Sequence, residues 1–319
     1  MFAGLSRVKN IFRSQQSPNI EAAGMTPEEQ RLFKKNGFLV IENAVSPEYC
    51  DQVLYSIETF RKSPESGPDK DRYNDRIGQI HQVAPKTLEL AANSKIYQKL
   101  SSALNDEPLL FGSLSFSQGT EQDAHIDSIF FYTEPAHAMA GAWYALEDIK
   151  PEAGPLFYYP GSHLWPFTRG EEIQAAHPEL SEKVKAARQN LTSPETNDLV
   201  CKMGQLWTND LKKKISEKGA TPAVANIKKG DCVLWHALLV HGGMPRLNPS
   251  LTRKSIVFHY IGRNAELHTF SDFFLKSNKE ILSSQGLGKN IRTMYGIPYI
   301  KHNHFSRYDK SGNEIVQYF

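Results

Sequence analysis

The sequence predicts a mainly β fold, a single barrel or sandwich buttressed by helices. Three observations carry this. Capped helical segments fill the first hundred residues. Short β-rich runs dominate after about Pro108. One long polar stretch of helical pattern, about 169–227, interrupts those strands.

The elements read in order as follows. Thr26-Pro27-Glu28-Glu29 is a helix start, with Thr26 as cap, Pro27 at the first helical position and Glu29 closing a capping box. That helix runs to about Lys35 and ends at Asn36-Gly37. Phe38 to Ile41 is a buried strand, and Ser46-Pro47-Glu48 opens a second helix through about Arg61. Ser63 to Tyr73, rich in Pro, Gly and charge, reads as a mobile loop. Helical patterns follow at about 87–92 and 94–104. Strands are expected at Leu109–Phe116, Ala138–Leu146, Leu156–Tyr159, Cys232–Trp235 and Ser255–Ile261. The insertion at about 169–227 reads as a lid, and residues about 263–319 as a helix followed by a tail without core pattern. The first 19 residues read as a flexible segment and 20–319 as one domain.

Composition excludes several classes. The 319 residues are 40% hydrophobic, enough for a full core. Thirty-seven basic against 35 acidic residues leave a net charge of +2, which gives no electrostatic reason to expect nucleic acid. No apolar run approaches the roughly 20 residues of a membrane span. Three cysteines without a CxxC pair predict a reducing, cytoplasmic setting. The partner expected is a small molecule; oligomeric state is not readable.

The chemistry concentrates at His125-Ile126-Asp127, His241 and Arg253. Two imidazoles and one carboxylate can hold Fe(II) on one face and leave the opposite face open. On a strand, His125 and Asp127 would point the same way and Ile126 away. The absence of sulfur argues against a structural zinc site. The triplet alone is weak, because a chain with 11 histidines produces it by chance. Its order with His241 and Arg253 makes it specific. A guanidinium past the last histidine can grip the far carboxylate of a 2-oxo acid.

Five stretches carry a family resemblance: EQRLFKKNGFLVIENAVSP from Glu29, QDAHID from Gln122, AWYALEDIKPEAGPLFYYPGSH from Ala142, GDCVLWHALLVHGG from Gly230 and RKSIVFHY from Arg253. The chain resembles the phytanoyl-CoA hydroxylase family of Fe(II)/2-oxoglutarate-dependent dioxygenases. The resemblance implies a double-stranded β-helix (jelly-roll, cupin-like) core with a helical lid. It implies iron on His125, Asp127 and His241, and 2-oxoglutarate on Arg253, with Trp143 and Gln122 beside it and O2 as co-reactant. Gly243 stands where some members carry a hydroxyl for 2-oxoglutarate. A related group of halogenases lacks the carboxylate ligand, so Asp127 points to hydroxylation or another C–H oxidation of a small metabolite. The alternatives are a non-catalytic binding barrel and a zinc- or manganese-dependent cupin-type enzyme.

Other residues are weaker candidates. Arg76, Gln79, Tyr159 and Trp207 are candidates to face substrate, with surface, packing or lid-anchoring roles as the competing reading. His81 is a further residue within possible reach of the open metal face. His236 points to the opposite face from His241 and reads as a packed histidine, and His163 as a turn histidine. His302 and His304 fall in the tail, read as disordered.

Overall fold

The computed structural model describes residues 24–67, 73–191, 193–275, 290–311 and 314–318. The N-terminal segment expected to be flexible lies outside them, as does the 68–72 part of the expected loop. Helices α1 (Pro27–Asn36), α2 (Pro47–Lys62), α3 (Pro85–Ala91) and α4 (Ser94–Leu104) precede most of the strands, with β1 (Phe38–Ile41) and β2 (Tyr73–Gly78) between them. The capping box of α1 is formed: Glu29 N donates to Thr26 Oγ1 at 3.2 Å, and Thr26 N donates to Glu29 Oε2 at 2.8 Å. The helix ends on Gly37 in the left-handed region, φ 81°. A Cβ there would also meet the His163 ring at 2.5 Å. His163 Nε2 hydrogen-bonds Lys34 O, so this turn histidine ties α1 to the barrel.

The barrel strands are β3 (Pro108–Phe116), β5 (Met139–Ala145), β8 (Cys232–His236) and β10 (Ser255–Gly262). They join a large, mostly antiparallel sheet in the order β1-β8-β5-β10-β3-β2, extended by β14 (His304–Asp309) and β15 (Glu314–Tyr318). A smaller sheet, β7 (Ala223–Val224), β6 (Leu156–Tyr158) and β9 (His241–Gly243), covers one face. β4 (Tyr132–Glu134) and β11 (Glu266–His268) form a separate two-stranded antiparallel sheet.

All residues of β5 and β10 are buried, so neither strand shows a polar face. The two faces nevertheless differ. Ala142, Tyr144, Cys232, Leu234, Ile256 and Phe258 pack with the helices α1 to α4 in one core. Trp143, Ala145, Val233, Trp235 and Val257 face Leu156 and Tyr158 of the small sheet. The period of two therefore sorts each strand into a structural side and a cavity side.

The insertion is helical as expected: α5 (Gly170–Ala176), α6 (Ser181–Gln189) and α7 (Pro194–Glu217). With α8 (Phe270–Leu275) it builds a second core of Ile173, Val184, Leu199, Met203, Phe273 and Phe274. Ile126, Ile129 and Val240 belong to that core. The insertion thus braces the chain segments that carry His125, Asp127 and His241.

The tail departs from the sequence expectation. It forms β12 (Ile291–Met294), β13 (Ile297–Ile300), β14 and β15, and Phe305, Tyr299 and Ile297 enter the main core. The region after Gly262 contains only one described helix, the six-residue α8. Nor do His125 and Asp127 lie on a strand. His125 forms an isolated bridge with His241, and Asp127 opens a 3₁₀ turn to Ile129. Ile126 between them is extended, so the local geometry of a strand survives for one residue.

Phe258 is fully buried on the helix-facing side. Phe258→Ala should destabilise the fold by about 3–5 kcal/mol, read as a lowered denaturation midpoint with unchanged slope.

Candidate metal centre

His125 and His241 are held by the same bridge. Each backbone N donates to the other's carbonyl oxygen at 2.9 Å, which sets the two rings 4.4 Å apart. Their Nδ1 atoms are satisfied locally, on Asp123 O at 2.8 Å and on Leu239 O at 2.9 Å. A donating Nδ1–H leaves the lone pair on Nε2. Those two Nε2 atoms lie 3.9 and 3.6 Å from Asp127 Oδ1. One ligand atom from each of the three residues falls within 4.8 Å of the others.

Asp127 is 5% exposed. Burial raises its pKa, but His241, His259, His125 and the indole of Trp235 outweigh that and hold it below the usual carboxylate range. Burial, and then the neighbouring His241, push His125 down to about 4, so it is neutral at physiological pH. A carboxylate and two imidazoles make a donor set that fits a divalent first-row metal.

Trp235 was not singled out by the sequence as part of the site. Its Nε1–H donates to Asp127 Oδ2 at 2.7 Å. Oδ2 is thereby engaged, and Oδ1 is the oxygen turned to the histidines. Gly141 on the neighbouring strand makes room for the indole, since a Cβ there would lie 2.5 Å from Trp235 Nε1. His259 is the second residue missed. Its Nε2 lies 3.8 Å from Asp127 Oδ2, and burial lowers its pKa. The signal was present: counting by twos from Arg253 leads through Ser255 and Val257 to His259 on the cavity side.

Arg253 is 2% exposed. One guanidinium nitrogen donates to Gly154 O at 3.1 Å, and Nε is buried without a partner among the described residues. The group stands 5.7 Å from the Phe116 ring centre and 6.0 Å from that of Trp143. Burial, and then Arg76, push its pKa down to about 10, which leaves it charged at neutral pH.

One cavity of about 480 Å³ joins these groups. Its lining includes His125, Asp127, His241, Arg253, Trp143, Gln122, Arg76 and Gln79. Tyr159 and Trp207 are not on it. Tyr159 packs at the edge of the insertion's core near Trp165. Trp207 is buried in that core, and its Nε1–H donates to Thr168 O at 2.9 Å. The expectation that these two face substrate is therefore corrected. No described residue from 169 to 227 lines the cavity. His236 stays apart, its Nδ1 accepting from Leu238 N at 3.1 Å. His81 is buried behind the lining, with Nδ1 2.6 Å from Ser113 Oγ. Thr120 joins the lining unforeseen: a Cβ at Gly243 would meet its Oγ1 at 2.7 Å.

A family model for phytanoyl-CoA dioxygenase (PhyH) matches residues 33–255. The chain belongs to the phytanoyl-CoA dioxygenase family. It is an enzyme of the iron- and 2-oxoglutarate-dependent oxygenase class. A relative from Danio rerio, phytanoyl-CoA dioxygenase domain-containing protein 1, is 24% identical over 269 residues, covering 68% of this chain and 84% of its own. Among solved structures, the non-haem α-ketoglutarate-dependent carbocyclase SnoK of nogalamycin biosynthesis shares the fold. Its TM-score is 0.56 at 17% identity, over 86% of this chain and 96% of that one. The epimerase SnoN, solved with Fe3+, α-ketoglutarate and nogalamycin RO, gives 0.52 at 17% identity, over 78% and 89%. These neighbours agree with the jelly-roll core expected of this family member.

Trp235→Phe keeps a ring over Gly141 and removes the N–H. Metal affinity should fall about tenfold to a hundredfold, measured by Co(II) titration and absorbance.

Proposed function

We propose that this chain hydroxylates, or otherwise oxidises, an unactivated C–H bond of a small metabolite, with Fe(II) as cofactor and 2-oxoglutarate and O2 as co-reactants. The balance for hydroxylation is R–H, 2-oxoglutarate and O2 giving R–OH, succinate and CO2. The observation that carries the reading is the convergence of three donor atoms in one cavity with a buried arginine. His125 Nε2, Asp127 and His241 Nε2 would hold the metal. When bound, ferrous iron supplies the redox chemistry that couples oxidation of the 2-oxo acid by O2 to oxidation of the substrate.

The chain's own residues do the rest. The two backbone carbonyls on the histidine Nδ1 atoms hold both rings in the ligating tautomer. Trp235 leaves Asp127 one oxygen turned to the metal. Arg253 would receive the far carboxylate of 2-oxoglutarate, and its buried, unpartnered Nε supports that reading. Trp143 and Phe116 keep the guanidinium in place. Gln122 lines the same space, and Thr120 stands where Gly243 offers no hydroxyl. Phe111, Phe130, Phe131 and Phe270 give the cavity an apolar stretch of wall that would exclude water from the reacting C–H bond.

Anaerobic addition of Fe(II) and 2-oxoglutarate should produce a weak visible charge-transfer band. Asp127→Ala should abolish that band and substrate-dependent succinate release; a mutant that keeps them would overturn the ligand assignment. Thr120→Val should raise the KM for 2-oxoglutarate about fivefold with little change in kcat, the loss of one neutral hydrogen bond.

A further inference from the structure

We propose that Arg76 and Gln79 form the polar pole of the primary-substrate site, and that the substrate is a small carboxylic acid whose carboxylate Arg76 receives. This rests on the function proposed above, because the acid would share the cavity with the metal centre.

Arg76 is a half-buried cation on the cavity wall. Among the described residues it has no ion-pair partner. Its sequence neighbour Asp75 is occupied, accepting from the backbone N–H groups of Ser117 and Gln118. Glu314, on the same lining, accepts from Ser306 Oγ at 2.5 Å. What flanks the guanidinium is aromatic: the Phe116 ring centre at 5.9 Å and that of Tyr308 at 6.0 Å. Two rings hold the group in place without neutralising it, which suits a cation that awaits an anion.

Gln79 is the second observation. It adopts the left-handed backbone region, φ 54°, and its side-chain oxygen is buried with no partner among the described residues. A strained non-glycine residue with an orphaned polar atom on a cavity wall marks a ligand contact. A hydrogen-bond donor beside the substrate carboxylate would satisfy it.

The two arginines divide the work by position. Register pairs Ile77 with Ser115 and Ser255 with Phe116, so Arg76 falls beside Phe116 on β3, and Arg253 stands two residues ahead of Phe116's partner, just before β10. Arg253 is the deep cation, tied to Gly154. Arg76 lies beyond Phe116, toward Tyr308 and Glu314 of the C-terminal hairpin. Two cations on one cavity, Arg253 fully buried and Arg76 half-buried, receive two anions, one from the cosubstrate and one from the substrate. A carboxylate is favoured over a phosphate. A single guanidinium fork matches it, and Glu314 on the same wall repels a second negative charge. The four phenylalanines on the same lining predict an apolar body for the acid.

The test uses the full chain loaded anaerobically with Fe(II) and 2-oxoglutarate, with the visible band titrated by phenylacetate and by phenylacetamide. Phenylacetate should perturb the band saturably, and phenylacetamide should bind about tenfold weaker or worse, since a charge-assisted contact is lost. Arg76→Gln should weaken phenylacetate about tenfold more than it weakens 2-oxoglutarate, and Arg76→Lys should recover part of the loss. Equal action of the two probes, no response to either, or a loss in Arg76→Gln that falls mainly on 2-oxoglutarate would overturn the proposal. Absence of the band in the unmutated protein is a different result: it removes the cofactor reading and this proposal with it.

Discussion

A negative charge inside the barrel governs the rest of this structure. Asp127 is nearly sealed from solvent, and an isolated carboxylate there would be driven to take up a proton. Three imidazoles and one indole N–H hold it ionised instead. Trp235, His241 and His259 come from segments more than a hundred residues beyond Asp127, so the barrel must fold before the carboxylate has these neighbours. The helical insertion takes part at a distance. Its core closes on Ile126 and Ile129, the residues on either side of Asp127, and fixes the backbone from behind.

The strand alternation explains how one sheet serves two purposes. Phe258 and Tyr260 are spent on packing against helices, while Val257 and His259 look into the cavity. Gly141 shows how tightly the two sides are coupled. The missing side chain on β5 is the space in which the Trp235 indole lies to reach Asp127. A packing choice on one strand thus sets the orientation of a charged group on a loop.

Much of this was legible in the chain. The capping box of α1, the strands around Leu109–Phe116 and Ser255–Ile261, and the order of His125, Asp127, His241 and Arg253 are local or spacing signals. What the chain does not show is nonlocal. Trp235 and His259 fall in expected strands without a role, because their role depends on which strand lies beside them. Trp207 reads equally as a substrate contact or a lid anchor, because an aromatic residue in an insertion looks the same whether it faces inward or outward; its place in the insertion's core, with the indole on Thr168 O, is that of the anchor. The tail looks patternless because β14 pairs with β2, more than two hundred residues earlier in the chain, and β15 pairs with β14 at the edge of the large sheet. The extended reading of His125 and Asp127 held for Ile126 alone, since the bridge to His241 ends before Asp127.

That late hairpin has a consequence for diversification. The match to the family model ends at residue 255, yet Tyr308 and Glu314, which stand on the cavity wall beside Arg76, and Phe270, also on that wall, all come later. This side of the cavity wall is therefore built from a part of the chain separate from the triad. A side-chain change at Tyr308 or Glu314 alters the cavity wall without touching His125, Asp127 or His241.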